Sequence, residues 1–227
     1  MKIINCIQGS DEWHDARLGK ITASRVSDIL PGKSGYKVAR EKYLVTLICE
    51  ILTGEVRETF VPSWAMQHGI DVEQAARSSY EVFVSDFLEQ PGFIIHDTYD
   101  FLGCSPDGMR KNEIGVEIKC PNSEVHLNTI LHHAAGEKSI PPNYYTQIQT
   151  SLLCTGFDEW DYVTYDNRFS QNLQLHVQSV MRDEEHIKLI ETECIKFWEE
   201  LSTAVEKLKM IGIPEPAPES SGELELS

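Results

Sequence analysis

The 227-residue chain lacks several things a reader would look for first, and each absence narrows the field. No stretch approaches the ~20 consecutive apolar residues of a membrane span. The opening Met1-Lys2-Ile3-Ile4-Asn5 has neither the apolar core nor the cleavage pattern of a signal peptide, so a soluble cytoplasmic protein is expected. The six cysteines, Cys6, Cys49, Cys104, Cys120, Cys154 and Cys194, are scattered singly, with no CxxC pair and no His at zinc spacing. They read as core thiols of a reduced compartment, and their scatter argues against a four-cysteine iron-sulphur cluster. No internal repeat is visible.

Basic residues are also scarce: 20 Lys and Arg face 36 Asp and Glu, a formal charge of −16. Four of those charges are Glu215, Glu219, Glu223 and Glu225, which leaves −12 over residues 1–213. Such a balance weakens a reading as a simple double-stranded DNA-binding module and leaves DNA contact either to a small basic surface or to a topological hold. Residues 214–227, rich in Pro, Ser and Glu, read as an acidic disordered tail behind a single domain over 1–213.

What is present centres on Ser105-Pro106-Asp107-Gly108 and, ten residues on, Glu117-Ile118-Lys119. Phe101–Cys104 and Ile114–Lys119 read as two apolar strands with Lys111-Asn112-Glu113 as the polar turn between them. A hairpin about Asn112 sets Asp107 opposite Glu117, with Cβ atoms roughly 5 Å apart on one face. Two ionised carboxylates so placed repel unless a cation lies between them. Lys119 shares the face of Glu117, about 6.6 Å along the strand, and Ile118 points the other way. Its backbone carbonyl remains free to turn to a metal. Oxygen ligands of this kind suit Mg²⁺ or Mn²⁺. The plainer alternative is a turn at Asp107-Gly108 beside a solvated edge strand.

Around this core the periodicities predict helices from Ser10 to Leu18, Thr22 to Leu30, Lys37 to Thr53 and Asp71 to Val84. A strand follows near Phe93–His96. Two helices are expected at Ser123–Ala135 and Pro142–Thr155, then strands at Glu159–Tyr165 and Leu173–Val180, and a long helix over Asp183–Met210. The order gives an α/β fold with a mixed central sheet flanked by helices. The i, i+4 pair Glu73 and Arg77 reads by itself as a surface ion pair. His126, His132 and His133 read as surface or groove residues, because adjacent helical histidines point about 100° apart. Trp13 reads as a core anchor.

Pro106-Asp107 with Glu117-Ile118-Lys119 matches the PD-(D/E)xK nuclease signature. Six blocks in order extend the match over roughly residues 10 to 180: Trp13 to Gly19, Ile21 to Ser24, Gly69 with Glu73, Cys104 to Gly108, Glu117 to Pro121, and Gln147 to Gln149. Together they resemble the phage recombination exonucleases of the lambda exonuclease type. The resemblance implies a restriction-endonuclease-like core and a Mg²⁺-dependent 5′ to 3′ exodeoxyribonuclease that digests one strand of linear duplex DNA, leaving a 3′ overhang for strand annealing. It implies two Mg²⁺ ions per site, Mn²⁺ substituting, held by Asp107, Glu117 and the Ile118 carbonyl. Lys119, Glu73 and Gln147 complete the catalytic set, with Tyr144 a weaker candidate. Arg17, Ser24 and Ser105 hold the 5′-phosphate, and Met66 stands where a relative places an apolar wedge at the duplex fork. It further implies a homotrimeric ring threading DNA, a phage single-strand annealing protein as partner, and a phage or prophage origin in a bacterial host. An endonuclease of the same fold and an inactive DNA-binding recombination scaffold are the rival readings.

Overall fold

In the computed structural model, residues 1–56 and 64–211 are described, the side chains of 64–71 excepted. The Met66 wedge and the 214–227 tail therefore lie outside the described residues.

The N-terminal half begins with β1 (Lys2–Ile4), α1 (Asp11–Arg17) and β2 (Ile21–Thr22), followed by a 3-10 turn at Ala23–Arg25 and α2 (Val26–Ile29). Two longer helices, α3 (Val38–Thr53) and α4 (Trp64–Val84), come next. Local chemistry sets these bounds. The Ser10 hydroxyl accepts the Trp13 N–H at 3.3 Å and caps α1, and α3 stops at Gly54, whose φ of +70° is the left-handed conformation that glycine tolerates.

The middle and C-terminal parts contribute β3 (Phe93–Ile95), β4 (Leu102–Cys104), β5 (Gly108–Met109) and β6 (Ile114–Lys119), then α5 (Ser123–Ala134) and α6 (Pro142–Thr155). The chain finishes with β7 (Glu159–Tyr165), α7 (Gln171–Gln174), β8 (Leu175–Met181) and α8 (Glu184–Met210). Pro142 opens α6 where its missing N–H costs nothing, and the Asp183 carboxylate accepts the His186 N–H at 3.1 Å to start α8.

The result is an α/β fold whose strands form two mixed four-stranded sheets flanked by helices, in the orders β1-β3-β4-β2 and β5-β6-β7-β8. The strand anticipated at Phe101–Cys104 therefore does not pair with β6. It joins β3 and β2 in the first sheet, and the two-residue β5 is the antiparallel partner of β6. Pro106 lies between the two, and with no N–H to donate it suits the point where the chain leaves one ladder for the other. The anticipated register about Asn112 holds, since Gly108 faces Val116 and Met109 faces Gly115. The turn closes through the Arg110 N–H on the Ile114 carbonyl at 2.9 Å, with Glu113 at φ +63°.

Two apolar clusters sandwich the second sheet. Val116, Ile118, Val163 and Tyr165 pack under Ala76 and Tyr80 of α4. On the other side Trp160 and Tyr162 join the larger core built on Ile148 and Leu152 of α6, Leu47 of α3 and Phe197 of α8. Strand alternation thus sends Ile118 into the α4 layer and leaves Glu117, paired with Tyr162, on the α6 side. All six cysteines are free, with Cys104, Cys154 and Cys194 buried.

His126 departs from expectation. It is fully buried, its Nδ1 3.0 Å from the Thr164 hydroxyl and its Nε2 2.7 Å from the Leu173 carbonyl. Helical spacing could not reveal this, because the partners come from β7 and α7, 38 and 47 residues downstream. His132 and His133 are exposed, as the sequence predicts.

Candidate active site

Asp107 reaches β6 through its backbone and its side chain. Its N–H donates to the Val116 carbonyl at 3.1 Å, and its Oδ2 accepts the Ile118 N–H at 2.6 Å. Glu117, only 2 % exposed, is held from two directions: its Oε1 accepts from Lys119 Nζ at 2.5 Å and from Gln147 Nε2 at 2.6 Å. The Lys119 ammonium in turn lies 4.9 Å from the centre of the Tyr144 ring. Because Gln147 and Tyr144 sit one turn apart on α6, a single helix contributes both groups beside β6.

The electrostatics are those of crowded acids around one cation. Burial pushes the Glu117 carboxyl up to about 7, with the Asp107 charge adding to the rise and Lys119 opposing it. Asp107 is also raised by burial, against the pull of Lys119 and the Ile118 N–H. Glu73, half-buried on α4, is raised by burial and then by Asp107, while Arg77 and Lys119 counter this. Burial alone would drive Lys119 toward neutrality, but Glu117 and Asp107 outweigh it and hold the amine charged. Glu73, Asp107, Glu117, Lys119 and Gln147 are therefore one neighbourhood. Among the described residues, no group of three His, Cys, Asp or Glu side chains is arranged to hold a metal ion. The donor chemistry that remains is two partly or fully buried carboxylates, with raised pKa values that a bound cation would relieve.

A second cluster adjoins the first through Ser105, two residues before Asp107. The Ser105 hydroxyl accepts from Trp13 Nε1 at 2.9 Å and from Arg17 Nη1 at 3.3 Å. The Arg17 guanidinium stacks 4.0 Å from the Trp13 ring centre. Trp13 also donates to the Gly92 carbonyl at 3.0 Å, so its indole fixes the serine and the arginine together. Ser24 is the exposed residue of the 3-10 turn, its hydroxyl 3.5 Å from that of Thr22; the structure brings Arg17 and Ser105 into contact, while among the described residues no hydrogen bond joins Ser24 to either.

Beside Arg17 is a cavity of about 30 Å³ lined in part by His14, Lys20, Thr22, Arg25 and Tyr43. Its floor is fixed by the Tyr43 hydroxyl, which accepts the Thr22 N–H at 3.1 Å, and the Arg25 guanidinium lies 4.4 Å over the Tyr43 ring. Sequence reasoning passed over Trp13 as a positioning group and over Lys20 and Arg25 entirely. Arg17, Lys20 and Arg25 stand three and five residues apart, a spacing that follows no helical or strand period.

Fold and site together define a PD-(D/E)xK-like recombination nuclease. Residues 12–158 match the YqaJ-like viral recombinase domain, and the chain belongs to that family. The alkaline exonuclease LHK-Exo from Laribacter hongkongensis is 38% identical, with a TM-score of 0.77 over 88% of this chain and 96% of that one. Its complex with dAMP superposes equally well, at 37% identity and a TM-score of 0.77 over the same shares. A phage-related exonuclease from Haemophilus somnus 129PT shares the fold at 14% identity, with a TM-score of 0.64 over 83% of this chain and 96% of that one. No curated protein sequence matches. The likeness to LHK-Exo makes this chain an enzyme of nuclease type. Among the described residues, no helix is long and apolar enough to cross a membrane.

Proposed function

We propose that the protein is a Mg²⁺-dependent exodeoxyribonuclease that enters linear duplex DNA at a 5′-phosphorylated end, degrades that strand 5′ to 3′ and leaves a 3′ single-stranded overhang for recombination by strand annealing. The observation that carries this reading is the Arg17–Ser105 contact at 3.3 Å, two residues along the chain from Asp107. A guanidinium and a hydroxyl beside an acid pair form a donor set for a terminal phosphate next to a cleavage centre. LHK-Exo is known in complex with dAMP, a mononucleotide, which supports a nucleotide-binding site in this chain.

Asp107, Glu117 and the Ile118 carbonyl would hold Mg²⁺, two ions per site with Mn²⁺ substituting. The oxygen donors and the raised Asp107 and Glu117 pKa values fit such a cation. When bound, the metal supplies a Lewis acid for the phosphodiester and a water of lowered pKa. The chain's own groups do the rest. Gln147 steadies Glu117 and presents its amide to the phosphate or the attacking water. Lys119 orients that water and stabilises charge developing on the phosphate. Glu73 adds a further acid acting through water. Arg17, Ser24 and Ser105 grip the new 5′-phosphate after each cut, which sets direction, and Met66 parts the strands at the fork.

Residues 1–213 would form the nuclease domain. A homotrimeric ring around DNA reconciles activity on a polyanion with a net charge of −16, because a closed ring stays on its substrate without a broad basic face. A phage single-strand annealing protein, in the cytoplasm of a bacterial host, would take up the overhang.

The test is one assay on duplexes labelled at the 5′ or the 3′ end, carrying 5′-phosphate or 5′-hydroxyl, with and without Mg²⁺. Early loss of the 5′ label, faster on phosphorylated ends and only with Mg²⁺, is expected. Cutting of closed circular duplex would instead identify an endonuclease of the same fold.

A further inference from the structure

A pair of histidines outside the acid cluster, two strands across the sheet from Lys119, has geometry of its own. His133, on the last turn of α5, is exposed, and its Nδ1 lies 3.0 Å from the Nε2 of His176 on β8. The ring centres are 4.9 Å apart with the planes at 71°. β8 is an outer strand of its sheet, so its far edge is unpaired within the described residues.

The pair is presented by a rigid frame. His126 and His133 are seven residues apart and share one face of α5, and Thr164 is paired with His176 across β7 and β8. His126 uses both ring nitrogens inside this frame. The Leu173 carbonyl can only accept, so His126 Nε2 carries the proton and Nδ1 takes the Thr164 hydroxyl. That anchor fixes α5 against the sheet and leaves His133 and His176 facing each other. Two neutral imidazoles can share only one proton across the gap, so a proton bond satisfies them but does not exhaust the site.

From this juxtaposition we infer that His133 and His176 form a binding site for a transition-metal dication of the Zn²⁺ or Ni²⁺ class, which staples the end of α5 to the outer strand β8. Metal–imidazole bonds of about 2.0–2.1 Å set two neighbouring ligand nitrogens on one ion roughly 3.0–3.4 Å apart. The observed 3.0 Å lies at the near edge of that range. Binding needs the bridging proton to leave and each ring to rotate until both lone pairs converge, a motion open to the exposed His133. Waters complete the coordination. Imidazole nitrogen selects Zn²⁺, Ni²⁺ or Cu²⁺ over Mg²⁺, which separates this site from the oxygen donors at Asp107 and Glu117. The strongly acidic chain raises the local concentration of cations.

The test uses full-length protein free of any histidine tag: wild type, His133→Ala, His176→Ala and, as a neighbouring control, His132→Ala. Thermal unfolding midpoints are recorded with and without Ni²⁺, alongside calorimetric titration with Ni²⁺ and with Mg²⁺. Expected is an upward shift in wild type and H132A, lost in H133A and H176A, with Ni²⁺ affinity at the site at least about tenfold weaker in either variant. The Mg²⁺ isotherm is expected to be the same for all four proteins. A Ni²⁺-induced shift equal in H133A, H176A and wild type would overturn the inference, as would no shift in wild type or the same loss in H132A.

Discussion

Replacing Glu117 with Gln should make the metal-free protein more stable while abolishing its chemistry, and the structure sets the size of the effect. Glu117 is 2 % exposed, and burial raises its carboxyl from an ordinary 4.5 to about 7. A group with a folded pKa above its unfolded one costs nothing below the unfolded value, where both states are protonated. Between about 4.5 and 7 the unfolded chain has released a proton that the folded one keeps, so wild-type stability falls by roughly 1.4 kcal/mol per pH unit. Above 7 the full cost remains, on the order of 3 kcal/mol. Gln keeps an oxygen for the Lys119 and Gln147 bonds and removes the charge. In denaturant unfolding with chelator at pH 8, E117Q should therefore exceed wild type by about 1–3 kcal/mol, and the difference should shrink toward pH 5. Saturating Mg²⁺ should then stabilise wild type and not the variant, by about 2.7 kcal/mol at a hundredfold excess over Kd. An E117Q protein less stable than wild type at pH 8 without metal would refute the reasoning, because it would mean that Lys119 and Gln147 more than compensate the buried charge.

Three other expectations follow from named contacts. Arg17→Ala should lower kcat/KM on 5′-phosphorylated ends about ten- to a hundredfold, the worth of one or two charged hydrogen bonds, and should leave the rate on 5′-hydroxyl ends nearly unchanged. Gly115→Ala should cost about 1–3 kcal/mol in denaturant unfolding, since an added Cβ would lie 2.2 Å from the fully buried Trp160 ring. Asp166 meets Arg168 at 2.7 and 2.9 Å and Ser123 at 2.7 Å; burial pushes its carboxyl up, but these bonds prevail and hold it at about 2. Its contribution, about 1–2 kcal/mol after screening of the half-exposed Arg168, is present above pH 3.8 and lost as the pH falls toward 2, so an acid titration of Asp166→Asn should lack that segment.

How much of this was legible in the sequence depends on the range of the interaction. The bounds of α6 and β7 were readable to the residue, because Pro142, Gly156 and the aromatic and β-branched run of Trp160 to Tyr165 act within a few positions. The Asp107–Glu117 register was readable because a turn fixes its own symmetry about Asn112. The two-residue strands β2 and β5 were not, since nothing local marks a strand of that length; β2 exists only because the remote β4 offers it a ladder, and β5 is the short stub that the Asn112 hairpin leaves opposite β6. For the same reason the partner of β6 was misassigned to Phe101–Cys104. In the site, Gln147 and Arg17 were found through resemblance to a family, whereas the indole of Trp13 reaching Ser105 across 92 residues left no trace in spacing. His126 shows the converse error: three histidines in one helix suggested a shared surface role, but packing against Thr164 and Leu173 buries His126 and leaves His132 and His133 exposed near the helix end.

The central claim is that Asp107 serves a metal-dependent cut and not merely the hairpin, and Asp107→Asn tests it most directly. The amide oxygen can still accept the Ile118 N–H, so the fold and its melting temperature should persist. Release of nucleotides from 5′-phosphorylated linear duplex in Mg²⁺ should fall below detection in D107N, with duplex ends still bound. A folded D107N enzyme that cuts at the wild-type rate would contradict the account.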